Sequence, residues 1–181
     1  MITAARLQYR GIIQKRTDGQ DARGGLTASW SQFAERRMRW EPLGGRESFL
    51  AQQTEAAAEG RLGLRYLVGV TAKMRILLPR VFDTLSAGID DNDLSLTVAS
   101  AEGFPLEGAY RIRIDDELLE VTAGQGTTTW TVTRAKDGTS AASHASGASV
   151  AVMVPLEIVQ PPVDVGGRRR ELQILVREAN A

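Results

Sequence analysis

His144 is the only histidine in the chain, and it stands in a run of small residues, SAASHASGAS. A single imidazole does not hold zinc, and with no cysteine present no thiolate can complete a tetrahedral set. A Ser/His/Asp triad would have to use His144 as its base, and no G-x-S-x-G nucleophile elbow occurs. A structural or solvent-exposed histidine is expected. Asp90, Asp91 and Asp93, with Asn92 among them, offer oxygen ligands to calcium but lack the glycine and terminal glutamate of an EF-hand loop. A solvated linker accounts for them. Asp115, Asp116 and Glu117, followed by Glu120, could form a carboxylate pair for hydrolysis. Neighbouring strand residues point to opposite faces, however, and a turn between strands explains these acids without chemistry. The paired glycines at 24–25, 44–45 and 166–167 do not form a phosphate-cradling loop. No enzyme, metal or cofactor is expected.

The charged groups left over are basic. Arg36, Arg37 and Arg39 fit either a surface that touches DNA or an acidic subunit, or the solvated face of a strand. Arg168, Arg169 and Arg170 follow a Gly-Gly turn, and a hairpin tip is free to reach a partner. Trp30 and Trp40 are expected in the core, whereas Trp130, amid threonines, fits a core or a partner-binding role. Lys+Arg and Asp+Glu are equal at 22 each. A protein that grips DNA through phosphate neutralisation normally carries a basic excess, so tight DNA binding is disfavoured and passive contact is not.

The elements that position these groups read as strands. Leu7 to Gln14 alternates, and Thr17 to Gly25 consists of turn formers that predict a mobile loop or arm tip. Trp30 to Trp40 predicts one long strand or two, with Met38 and Trp40 on one face and Arg37 and Arg39 on the other, closed by Pro42. Arg46 to Glu59 is rich in Ala, Gln and Glu, with Gly60 placed as a helix stop, but Phe49 and Leu50 are its only large apolar residues. A short helix or exposed polar loop is predicted. Alternation resumes from Leu62 to Val70 and again at Met74, Ile76 and Leu78, up to Pro79.

Composition then shifts to Thr, Ser, Gly and Asp. Short strands are predicted at Leu94–Val98, Tyr110–Ile114, Leu118–Thr122 and Thr127–Arg134, separated by turn formers at Glu102-Gly103, Asp115-Asp116, Gly124-Gln125-Gly126 and Asp137-Gly138. Apolar strands follow at Val150–Val159 and from Leu172 to Val176. At 181 residues the chain has room for one small domain carrying another. The expected fold is all-β: a small β-barrel over 1–88 and 151–181, with one short helix or polar loop, and an inserted small all-β module over 89–150. MITAARLQYRGIIQ lacks the apolar region of a signal peptide and no 18 apolar residues run together, so a soluble, cytoplasmically made protein with no membrane partner is expected.

The segments WSQFAERRMRWEPLGGRE, LRYLVGVTAKMRI and GRRRELQILVRE resemble the phage head-tail joining proteins, the stopper or head-completion proteins of tailed phages. The resemblance covers roughly residues 1–87 and 151–179. It implies a virion protein at the head-tail interface: a β-barrel that assembles with itself into a closed ring, a hexamer or dodecamer, between portal or adaptor and the tail terminator or tail tube. A loop in such rings projects into the lumen and retains packaged double-stranded DNA. Carried onto this chain, that loop includes Glu47, Ser48, Gln52, Gln53, Thr54, Glu55, Glu59 and Gly60. The stretches IRIDDELLEVTA and WTVTRAKDGTSAASHASGASV resemble a β module of other phage structural proteins. Another tail-completion or tail-tube component, or a module binding carbohydrate or a host surface, is the alternative.

Overall fold

The alternation of apolar and polar residues over most of the chain leaves little choice but sheet, and sheet is what forms. The computed structural model describes residues 6–20, 23–43 and 58–179, and among them no α-helix occurs. No helix among those residues is long and apolar enough to cross a membrane. The chain divides into two compact units, residues 1–78 with 155–181 and residues 79–154.

The first unit contains β1 (Tyr9–Gln20), β2 (Leu26–Pro42), β3 (Gly60–Arg65), the start of β4 (Arg75–Thr84), the end of β9 (Ser149–Ile158), the short β10 (Val163–Asp164) and β11 (Glu171–Glu178). The neighbour order β11-β3-β2-β1-β4-β9 closes on itself because β11 also pairs with β9, giving a six-stranded barrel. Closure leaves these six strands without an open edge where they are paired. Every second residue of β11 faces inward: Leu172, Ile174 and Val176 are buried with Leu62 and Leu64 of β3, Met38 of β2, Ile12 of β1 and Ile76 of β4. A one-residue slip of β11 would turn this set outward, so the register is strongly specified.

Three readings of the sequence change here. The turn formers from Thr17 onward do not end β1; it stays paired with β2 out to Gln20↔Leu26, because the turn needs only the residues between those two. The predicted strand Leu62–Val70 stops at Arg65, and Gly69 at φ 90° takes the chain around a turn that leaves Val68 exposed. Pro79 does not end β4. The last residue of β4 paired with β1 is Leu77, so the missing proline N–H costs no bond on that side.

The second unit contains the rest of β4 and β9 with β5 (Ser95–Thr97), β6 (Tyr110–Ile114), β7 (Glu117–Ala123) and β8 (Thr129–Thr133). All four expected short strands form, and the strand order from β9 is β6-β7-β8-β5. Asp115 at φ 51° and Gly124 and Gly126 at φ 87° and 77° make the turns where turn chemistry placed them. Trp130 is fully buried at the centre of a core that includes Phe104, Ile112, Ile114, Val121 and Val150. Its ring packs against Phe104 at 4.8 Å and Tyr110 at 5.9 Å, and its indole N–H donates to the Thr127 carbonyl at 2.7 Å. Trp130 is thus a core residue. Trp30 is not one: it is half-exposed, with the Arg75 guanidinium 4.3 Å over its ring.

Candidate functional site

The barrel strands β2 and β3 are joined by the long polar connection singled out in the sequence. Pro42 pairs with Gly60, the Leu43 N–H donates to the Glu59 carbonyl at 3.0 Å, and the Glu59 N–H donates to the Val176 carbonyl at 3.0 Å. The Glu59 carboxylate in turn accepts the Glu178 N–H at 3.1 Å. The two ends of the connection are therefore latched to each other and to β11. Gly60, read as a helix stop, is the first residue of β3, and a Cβ there would fall 2.0 Å from the Trp40 ring, so only glycine lets the indole lie flat on the strand. Of the loop residues singled out above, Glu59 and Gly60 sit in this latch. Glu47, Ser48, Gln52, Gln53, Thr54 and Glu55 lie outside the described residues, as does the helix or polar loop expected over 46–59 except for its last two residues, Ala58 and Glu59, which are not helical.

The arginines fall into two separate places. Arg36, Arg37 and Arg39 lie along β2, and the register sets Arg37 directly opposite Arg10 of β1. Like charges so placed repel. Glu35 relieves this by pairing with Arg10, and a surface depression of about 200 Å³ is lined by Arg10, Glu35, Arg36 and Arg37. Arg39 is engaged with Glu41 at 3.2 Å and Glu171 at 3.7 Å, while Arg36 and Arg37 stay exposed. Arg168, Arg169 and Arg170 are exposed in the turn between β10 and β11, where Gly166, Gly167 and Arg169 all have positive φ. The Arg169 N–H is held by the Asp164 carboxylate at 3.0 Å.

A third feature was not visible in the sequence. A groove of about 560 Å³ in the barrel unit is lined by Arg16, Trp30, Lys73, Met74, Arg75 and Ile158, together with Asp18 and Glu157. Arg75 is fixed by its stacking on Trp30 and by a 2.7 Å bond from its Nε to the Gln14 amide oxygen. Only the 61-residue separation of Arg75 from Gln14 hides this from inspection, since the β1–β4 register brings Gln14 opposite Arg75.

The acids weighed as catalysts are occupied elsewhere, in the second unit. Glu117 is buried and accepts both arms of Arg134 at 2.8 Å, the N–H groups of Ala135 and Ala142 at 3.0 and 3.1 Å, and His144 Nε2 at 2.9 Å. Burial alone would raise its pKa, but these hydrogen bonds outweigh burial and hold it at about 2. The other ring nitrogen of His144 meets Asp115 at 2.8 Å, so the histidine joins the β6–β7 turn to the segment before β9. Asp90 and Asp93 bond the backbone N–H groups of their own loop. Among the described residues no three His, Cys, Asp or Glu side chains are grouped to hold a metal ion.

Charge is split between the units. The barrel unit carries 17 Lys and Arg against 11 Asp and Glu, and the second unit 5 against 11, so the chain's zero net charge is a sum of +6 and −6. The family model for the phage head completion protein matches residues 2–99, more than half of the chain, and takes in β1 to β5. No curated protein matches the chain. A head completion protein is a structural part of the virion that works with other head and tail proteins. With β1 to β4, four of its six barrel strands, inside the matched region, the chain belongs to the phage head completion protein family.

Proposed function

We propose that this chain forms a closed ring, a hexamer or dodecamer, that seals the head after packaging, joins portal or adaptor to the tail terminator or tail tube, and gates the exit of double-stranded DNA. The observation that carries the proposal is the latch at Leu43, Glu59 and Val176. It holds the barrel wall together by hydrogen bonds at the one point where the polar connection leaves and re-enters it, so gating in this reading requires no opening of the barrel. In this reading Glu47 to Gly60 faces the lumen, and Arg36, Arg37, Arg39 and Arg168 to Arg170 meet neighbouring subunits or ring partners. The acidic second unit is an inserted module, entered within β4 and left within β9, and it extends the ring's contacts.

Changing Gln52 and Gln53 to lysine adds phosphate-binding charge to the loop and is expected to slow DNA ejection from assembled particles. Ejection kinetics like those of the unaltered phage would remove the loop from the lumen. Electron micrographs of the purified chain test the ring itself, and protein that stays monomeric while binding glycans would favour the alternative surface-binding module.

A further inference from the structure

The second unit's excess of acid is not neutralised internally. Four of its five cations are used inside it: Arg111 with Glu120 and Asp137, Arg113 with Asp116, Arg134 with Glu117, and Lys136 with Glu120. Glu102 and Glu107 have exposed side chains with no ionic partner among the described residues. Both lie in the connection between β5 and β6, where Leu106 is 74% exposed while Phe104, two residues earlier, is buried in the core and anchors the loop. The result is a held protrusion that presents a leucine beside a carboxylate.

The groove of the barrel unit has the opposite character. Met74 and Ile158 give it an apolar floor and Trp30 an aromatic wall. Its two acids are already paired, Asp18 with Arg16 and Glu157 with Arg177. Lys73 is exposed in the turn before β4 and has no ionic partner among the described residues. A large exposed leucine flanked by acid matches an apolar groove rimmed by an unneutralised lysine in both respects.

We infer that the groove receives the Glu102–Glu107 loop of a second copy of this chain, Leu106 seating on Met74 and Ile158 beside Trp30 and Glu107 pairing with Lys73. The inference rests on the ring reading and supplies its contact. Loop into groove is a heterologous interface, in which each copy gives one surface and receives on another, and repeating it produces a ring when the rotation closes. Opposite net charges on the two units favour this head-to-tail order over contact between like units.

The test is sedimentation velocity and light scattering of the full chain across salt concentrations. Self-association should weaken as salt rises from about 0.05 to 0.5 M, because the Debye length shortens. Lys73→Glu and Glu107→Lys should each weaken assembly by about tenfold or more, and Leu106→Ser by a similar factor. The double variant Lys73→Glu with Glu107→Lys should recover most of the loss, while circular dichroism confirms that all variants fold. Rings that form unchanged in the single variants would overturn the loop-in-groove contact and leave the ring reading intact. Wild-type protein that stays monomeric at every concentration would overturn both.

Discussion

The two units of this chain solve the problem of charged groups in opposite ways. In the second unit the ionic groups near the core are tied to one another: Glu117 alone gathers Arg134, His144 and two backbone amides. In the barrel, the core is almost purely apolar and the cations sit outside it, several on strand faces and turns. A buried network of this kind fixes one arrangement but fails badly if a member is lost, whereas a surface of arginines tolerates change and remains available to partners. The zero net charge of the whole chain conceals this division, and a conclusion about DNA or partner contact has to be drawn unit by unit.

Glu117 is where the two units should respond most differently. Glu117→Ala leaves the Arg134 guanidinium buried without its partner and should cost the second unit about 3–5 kcal/mol. Trp130 reports this unit and Trp30 and Trp40 the barrel, so single-tryptophan variants followed by fluorescence during denaturation should show one transition moving and the other staying. In the barrel the matching lesion is apolar: Ile174→Ala in β11 should cost about 2–4 kcal/mol by the cavity it leaves, again in one transition only. Equal shifts of both transitions by either variant would show that the units do not unfold independently.

Acid gives a finer test. The Glu117 pKa is about 2 in the folded chain against an ordinary 4.5, so its contribution is fully present above about pH 4.5 and is lost as pH falls toward 2. That contribution amounts to roughly 3 kcal/mol. The second unit should therefore weaken over this window in an acid titration followed by Trp130 fluorescence, and Glu117→Gln should flatten the dependence. The smallest effect is expected from removing most of the second unit. Leu85 and Ala148 are joined by the Leu85 N–H to the Ala148 carbonyl at 3.0 Å, with Gly147 N–H returning to Leu85 at 2.8 Å, so a two-residue Asn-Gly turn can replace 86–147 and convert β4 and β9 into a hairpin. The barrel should keep its melting temperature within a few degrees; an unfolded product would show that the barrel depends on the unit it encloses in sequence.

Much of this was legible in the sequence because strands buried on one face write their orientation at every second residue. Leu172, Ile174 and Val176 declared the inner face of β11, and the glycines and aspartates between β6, β7 and β8 marked turns that the backbone does take. Legibility failed where pairing overrides local preference, as in Thr17 to Gln20, where turn formers are held in β1 by the facing strand. It failed too for Trp30, since nothing local reveals that Arg75 will lie over its ring. Glu117 and His144 are separated by a whole hairpin, and their contact depends on the fold being in place. The split of charge was hidden for a simpler reason: the unit boundaries fall inside β4 and β9 and not at turns, and the equal totals of acid and base mask the opposite sums on either side of them.

The position of β11 in the chain bears on how the protein is made. It zips to β3 on one side and β9 on the other, yet it leaves the ribosome only after the whole of residues 79–154 has emerged. The uninterrupted unit has all its strands in hand early, whereas β1 to β3 must wait with one flank of their sheet open. During that interval β3 is an exposed edge in need of protection, and a stalled or clipped nascent chain lacking β11 would be the species most prone to join another chain by the wrong strand.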